Sequence, residues 1–159
     1  MKQKLDEKYM RLAIAKAKEG IRKGQTPFGA CIVKDGKVLS CVHNTVWKET
    51  DITSHAEVHA IREACRKIKS IDLKGSVIYS TCEPCPMCFS ACHWANISTI
   101  VYGAKISDAQ AAGFHELAIS NKKLKKWGDS SMDIVEGYLR KECVDVFQVW
   151  LNRKDRRVY

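Results

Sequence analysis

Four cysteines fall within eleven residues, at positions 82, 85, 88 and 92, and two of them sit in the run Pro84-Cys85-Pro86-Met87-Cys88. Proline is favoured in the first turn of a helix, so Cys85 and Cys88 are predicted at a helix N-terminus. There the unpaired backbone N–H groups and the helix dipole favour thiolate, the form that ligates metal. Thirty residues upstream stands His55-Ala56-Glu57. One imidazole and two thiolates fill three corners of a zinc tetrahedron and leave the fourth for a water whose proton the metal makes acidic. A carboxylate beside that water can take the proton and hand it to a leaving group. Residues two apart in a helix interior point about 200° apart. Glu57 can therefore serve a metal on His55 only if both lie in the first turn, with the metal at the helix end.

The same residues admit other readings. Cys82, Cys85, Cys88 and Cys92 have the C-x2-C-x2-C-x3-C spacing of an iron-sulfur run, except that His93, not proline, follows. His55 and His59 are four apart on one helical face, but a metalloprotease needs glutamate directly after the first histidine. A closed structural zinc site could take Cys82 or His59 as a fourth ligand, and would then have no use for Glu57. Cys31, Cys41, Cys65 and Cys143 read as small buried hydrophobes, and Cys92 as packing beneath the site. His43, His59 and His93 read as structural or surface histidines, and Met87, Phe89 and Trp94 as core.

These groups must be held by one domain. The chain has 159 residues, 45% of them hydrophobic, and neither internal repeat nor low-complexity linker, so residues 1–159 read as a single unit. No apolar run approaches the roughly 18 to 20 residues that span a bilayer, and the N-terminus is charged throughout. A cytoplasmic protein with no membrane partner is expected, and in that reducing setting eight cysteines favour metal or catalysis over disulfides. The net charge of +9 sits at the ends: residues 1–54 carry 11 basic and 6 acidic groups, 55–110 carry 6 and 5, and 111–159 carry 10 and 7. The Lys122–Lys126 and Arg153–Arg157 clusters could contact phosphates, although short mixed runs are more often plain solvated surface.

Leu5, Tyr9, Leu12, Ala13, Ala17 and Ile21 recur at helical spacing. Residues 30–33 and 37–43 flank Asp35-Gly36, a strong hairpin signal. Val58, Ile61, Cys65 and Ile68 mark one stripe of a helix over 55–68. Strands are predicted at 76–81 and 99–102 with the Pro86 helix between them, a strand at 133–136 and a helix at 144–151. Alternation through the middle argues for a parallel α/β arrangement after the opening hairpin.

H-x-E followed by P-C-x-x-C is the signature of zinc deaminases. The chain resembles the cytidine deaminase-like superfamily, and within it the bacterial guanine deaminases and plant guanosine deaminases. The likeness runs nearly end to end, through Thr26-Pro27-Phe28-Gly29-Ala30, Val33-Lys34-Asp35-Gly36, His43-Asn44, His55-Ala56-Glu57-Val58, Cys82-Glu83-Pro84-Cys85-Pro86-Met87-Cys88, Ala112-Gly113-Phe114, Phe147-Gln148-x-Trp150 and Tyr159. The resemblance implies a three-layer α/β/α fold on a mixed five-stranded sheet and one zinc per chain on His55, Cys85 and Cys88. It also implies a homodimer whose C-terminal segment, about 137–159, crosses to the partner. Glu57 would move the proton, Asn44 would hydrogen-bond the base, Phe28 and Trp94 would contact the ring face, and Tyr159 would close the pocket. Guanine or guanosine would be the substrate; cytosine, tRNA adenosine and other aminated heterocycles remain open. The chain departs from the pattern in two places. His115-Glu116 stands where the guanine deaminases carry Asp-Asp, so Glu116 would supply the second acid and His115 would face the substrate, and Ile52 stands where proline is usual.

Overall fold

The computed structural model describes residues 4–159; Met1–Gln3, part of the charged N-terminus, lie outside the described residues. Asp6 accepts the Lys8 N–H at 2.9 Å and so caps α1 (Glu7–Arg22). Tyr9, Ala13, Ala17 and Ile21 form its buried face as the spacing predicts, joined by Met10 and Ile14, whereas Leu12 is 43% exposed and Leu5 precedes the helix. Asp35 and Gly36 both take positive φ, at 49° and 72°, and turn β1 (Gly29–Lys34) into β2 (Lys37–His43). A short α2 (Val46–Glu49) follows, then α3 (Ala56–Ile68), β3 (Val77–Cys82), α4 (Pro86–Trp94) and β4 (Thr99–Ala104). The chain closes with α5 (Ile106–Ala111), α6 (Asn121–Trp127), β5 (Asp133–Val135) and α7 (Arg140–Leu151).

The sheet order is β2-β1-β3-β4-β5. β1 pairs antiparallel with β2 and β3, and β3, β4 and β5 are mutually parallel, which gives the expected mixed five-stranded sheet. Alternate strand residues face opposite layers, as the period-two geometry of a strand requires. Cys31, Val77, Tyr79 and Val101 pack against α1 and α7, while Ile32, Ile78, Ile100 and Tyr102 share a core with α3 and α4. The parallel strands all end at one edge, where loops after them assemble a site. Gly29 is required by contact: a Cβ there would stand 2.1 Å from the Ala13 carbonyl oxygen of α1.

Helix α3 corrects its predicted stripe. The fully buried positions are Ala56, Glu57, Ala60 and Ala64, whereas Val58, Ile61, Cys65 and Ile68 are only half-buried. Small side chains let α3 approach the sheet, and the larger ones fill its flanks. The last helix starts at Arg140, four residues before the predicted position. Among the described residues no helix is long and apolar enough to cross a membrane.

Candidate active site

The N-termini of α3 and α4 converge. His55 and Cys85 are the N-cap residues, both extended (φ −62°, ψ 154° and φ −63°, ψ 167°), and neither makes the usual side-chain bond back to its own helix. Their side chains face each other instead. His55 Nδ1 lies 3.6 Å from Cys85 Sγ and 3.5 Å from Cys88 Sγ, and all three donor atoms fall within 4.8 Å of one another. Zinc–nitrogen and zinc–sulfur bonds of about 2.0 and 2.3 Å at a tetrahedral angle put ligand atoms about 3.6 Å apart, so the donor set fits that ion. Cys85 is pulled down to about 4 by its hydrogen bond with Cys88 and then by His55, against the effect of burial.

This geometry separates the alternative readings. His55, Cys85 and Cys88 are the one group of three or more metal-binding side chains that converge among the described residues. Cys82 donates instead to the Lys105 carbonyl at 3.5 Å, and His59 sits on the His43 carbonyl at 3.2 Å. Neither supplies a fourth ligand. All eight cysteines are free, and Cys92 is fully buried beneath the site as expected.

Glu57 is the second residue of α3, so it shares the first turn with His55. It is buried, and burial raises its carboxyl above the ordinary range. Cys88 Sγ donates to its Oε2 at 3.4 Å. The Ser80 hydroxyl lies 2.9 Å from Glu57 Oε1 and 2.7 Å from the Cys82 carbonyl. One hydroxyl proton can serve either acceptor, so Ser80 donates to an ionised Glu57, or turns to Cys82 and accepts from a protonated one.

Glu116 enters from the loop between α5 and α6, where Gly113 takes φ +102°, a conformation side chains rarely adopt. Burial, then the negative charge of Cys85 and Glu57, push its carboxyl up to about 7. Glu57 and Glu116 both line a cavity of about 10 Å³, room for about one water, together with Phe28, His55, Cys82, Glu83 and Cys85. Outside it opens a pocket of about 250 Å³, walled by His55, Cys85, Glu116, His115, Phe114 and Tyr159, with Ile52, Met87 and Leu117 at its apolar edge.

The expected substrate contacts are only partly brought together. Phe28 reaches the inner cavity, held edge-on against Phe114 at 4.9 Å and Phe147 at 5.8 Å, but does not line the outer pocket. Tyr159 lies in the outer pocket, its ring 5.5 Å from His55, and His115 donates its backbone N–H to the Tyr159 carbonyl at 3.2 Å. Asn44 is fully buried: its Oδ1 accepts the Val46 N–H at 3.0 Å, and its Nδ2 donates to the Tyr159 hydroxyl at 2.6 Å. Tyr159 thus covers Asn44 within the chain. Trp94 is not in the pocket; it ends α4, 82% exposed, against His93. Met87 is 36% exposed at the pocket edge, so of the three residues read as core only Phe89 is. Leu117 and Met87 were missed as lining residues; their places beside Glu116 and between the two ligating cysteines were the available signal.

Residues 3–104 match the cytidine and deoxycytidylate deaminase zinc-binding region. The chain belongs to that zinc-dependent deaminase family. It is 36% identical over 154 residues to guanine deaminase of Bacillus subtilis, covering 96% of this chain and 98% of that one. It is 33% identical over 138 residues to the tRNA-specific adenosine deaminase of the same organism, covering 87% and 83%. The structure of guanine deaminase from Nitrosomonas europaea superposes with a TM-score of 0.86 over 96% of this chain and 88% of that chain, at 21% identity, a likeness of fold.

Proposed function

We propose that this deaminase acts on guanine, adding water and releasing xanthine and ammonia. The observation that carries the reading is the second carboxylate: Glu116 and Glu57 line the same small cavity at the metal-ligand triad, so two acids border the place where water would react. Near full-length similarity to a guanine deaminase supports it. His55, Cys85 and Cys88 would hold the zinc, which when bound supplies the acidity that makes water a nucleophile at neutral pH.

The chain's own residues carry the rest. Glu57 takes one proton from the water and passes it to a ring nitrogen, then takes the second from the newly added hydroxyl and hands it to the amine as the carbon–nitrogen bond breaks, with Ser80 partnering both protonation states. Glu116 hydrogen-bonds the exocyclic amine and assists that transfer. Phe28 and Phe114 border the ring, and the apolar edge of Ile52, Met87 and Leu117 excludes water. For Asn44 to reach the base, Tyr159 must leave its amide; a homodimer in which the segment from about 137 onward crosses to the partner would do this and return a Tyr159 to each pocket.

The pocket lining contains no lysine or arginine, which favours a small neutral heterocycle over a polynucleotide. A tRNA adenosine substrate is the second reading, favoured by the tRNA-acting relative. Ammonia release from guanine, guanosine, cytosine, cytidine, adenine and adenosine, with Glu57→Ala as the blank, separates the two. Release from guanine is the expected result. Silence on all six with deamination of a tRNA anticodon would move the assignment.

A further inference from the structure

We infer that Glu83, through Asn121, positions Glu116 against the metal-ligand helix. This rests on the reading of Glu116 as the second acid. The Glu116 carboxylate accepts no hydrogen bond among the described residues, so nothing along its own side chain fixes it. Its place is inherited from the two ends of its loop and from the bond that its neighbour His115 makes to Tyr159.

One end is apolar. Phe114, two residues before Glu116, is buried against Phe28 at 4.9 Å and Trp150 at 5.0 Å. The other end is polar. Asn121, five residues after Glu116, is fully buried and gives its backbone N–H to Glu83 Oε1 at 2.9 Å and its side-chain Nδ2 to the Pro84 carbonyl at 2.6 Å. Between these anchors the loop has two short-range bonds of its own, Glu116 N–H to Phe114 at 3.0 Å and Ile119 N–H to Leu117 at 2.8 Å, and one tie to the tail, His115 N–H to the main-chain oxygen of Tyr159 at 3.2 Å.

Glu83 sits two residues before Cys85 and is itself 7% exposed. A buried carboxylate is costly unless its oxygens are satisfied. Besides Asn121, its Oε2 accepts the Ile106 N–H at 3.2 Å, and the Tyr102 hydroxyl, shared with Glu136, lies 3.2 Å from its Oε1. One side chain thus ties the ligand loop to the start of α5 and the start of α6, the two elements between which the Glu116 loop hangs. A helix cap alone would need neither the Asn121–Pro84 bond nor the Ile106 contact. The cavity shared by Glu57 and Glu116 has room for about one water, so a shift of about 1 Å in the loop decides whether Glu116 reaches the reacting atoms, and a misplacement of that size can cost about 100-fold in rate.

The test is a double-mutant cycle on the zinc-loaded protein. Glu83→Gln keeps the shape but turns one acceptor oxygen into a donor facing a backbone N–H. It is expected to lower kcat on guanine by about 10- to 100-fold with KM and zinc content little changed. In a Glu116→Gln background the same substitution should change kcat by less than about twofold, because coupled residues are non-additive. Multiplicative losses, loss of zinc from Glu83→Gln, or a lowered Tm with unchanged kcat would overturn the inference. Should Glu83→Gln fail to fold, Asn121→Ala keeps the backbone bond to Glu83 and removes only the Pro84 link, and the cycle is run with it under the same criteria. If Glu116→Gln alone leaves guanine turnover intact, the second-acid reading fails first and takes the positioning role with it. An additive cycle with Glu116→Gln impaired removes the positioning role alone.

Discussion

The floor of the pocket and its outer wall are built by different rules. The floor is made of helix N-termini and strand ends: His55, Glu57, Cys85 and Cys88 project from regular elements, and Glu57 finds partners in Ser80 and Cys88. The wall is made of loop and tail: Glu116 has no such partner among the described residues, and Ile52 and Leu117 are 57% and 66% exposed. The metal donors of the family are carried by regular elements whose backbone bonds leave little freedom, while the residues proposed to select the substrate sit on segments that can change without disturbing the sheet.

The contrast can be broken from either side. Glu57→Ala should lower turnover by about 10²- to 10⁴-fold while zinc analysis still finds one ion per chain; retained turnover would remove Glu57 from proton transfer. Glu116→Gln should cost less, about 10- to 100-fold on guanine, and should leave an altered substrate profile in the ammonia assay. The same variant has a signature in stability. The folded-state value of Glu116 in the metal-free chain, about 7, lies above the ordinary 4.5. Its contribution to stability is therefore fully present below 4.5 and is lost as pH rises through about 7. Urea titrations of metal-free protein between pH 4 and 8 should show wild type losing stability relative to Glu116→Gln over that window.

Smaller effects sharpen the wall. Tyr159→Phe removes the hydroxyl that Asn44 and Thr26 meet at 2.6 and 3.3 Å, a loss of about 1 kcal/mol for such a bond, and should shift KM by a few-fold with kcat nearly constant. Trp94→Ala, outside the pocket, should alter kcat and KM by less than about twofold; a large KM change would bring that ring to a substrate after all.

The legibility of the molecule follows the same division. The two ligating cysteines are legible because a two-residue gap after proline leaves one local geometry, His55 only because H-x-E with a downstream P-C-x-x-C matches the zinc deaminase signature, and the Asp35-Gly36 turn because both residues must take positive φ. The parallel strands β3 and β4 were short apolar runs bounded by turns. Helices α2, α5 and α6 went unseen: at 4, 6 and 7 residues they are too short to show a helical period and are held by tertiary bonds such as Asn121 to Glu83. The buried stripe of α3 departs from the sequence expectation because hydrophobicity ranks valine and isoleucine above alanine, whereas close helix–sheet contact selects the reverse. Contacts made by the tail, Tyr159 on Asn44 above all, join positions 115 residues apart and leave no local trace.

The two uncapped helix starts have a consequence for engineering. Serine, threonine, asparagine or aspartate at an N-cap is among the simplest ways to stabilise a helix, worth about 1 kcal/mol, and α3 and α4 both lack one. Here those positions are His55 and Cys85. Any substitution that repairs either helix end deletes a metal donor, so a screen of metal-free protein scored on melting temperature alone would enrich variants that cannot hold the ion, and thermostabilised variants must be sought elsewhere in the chain.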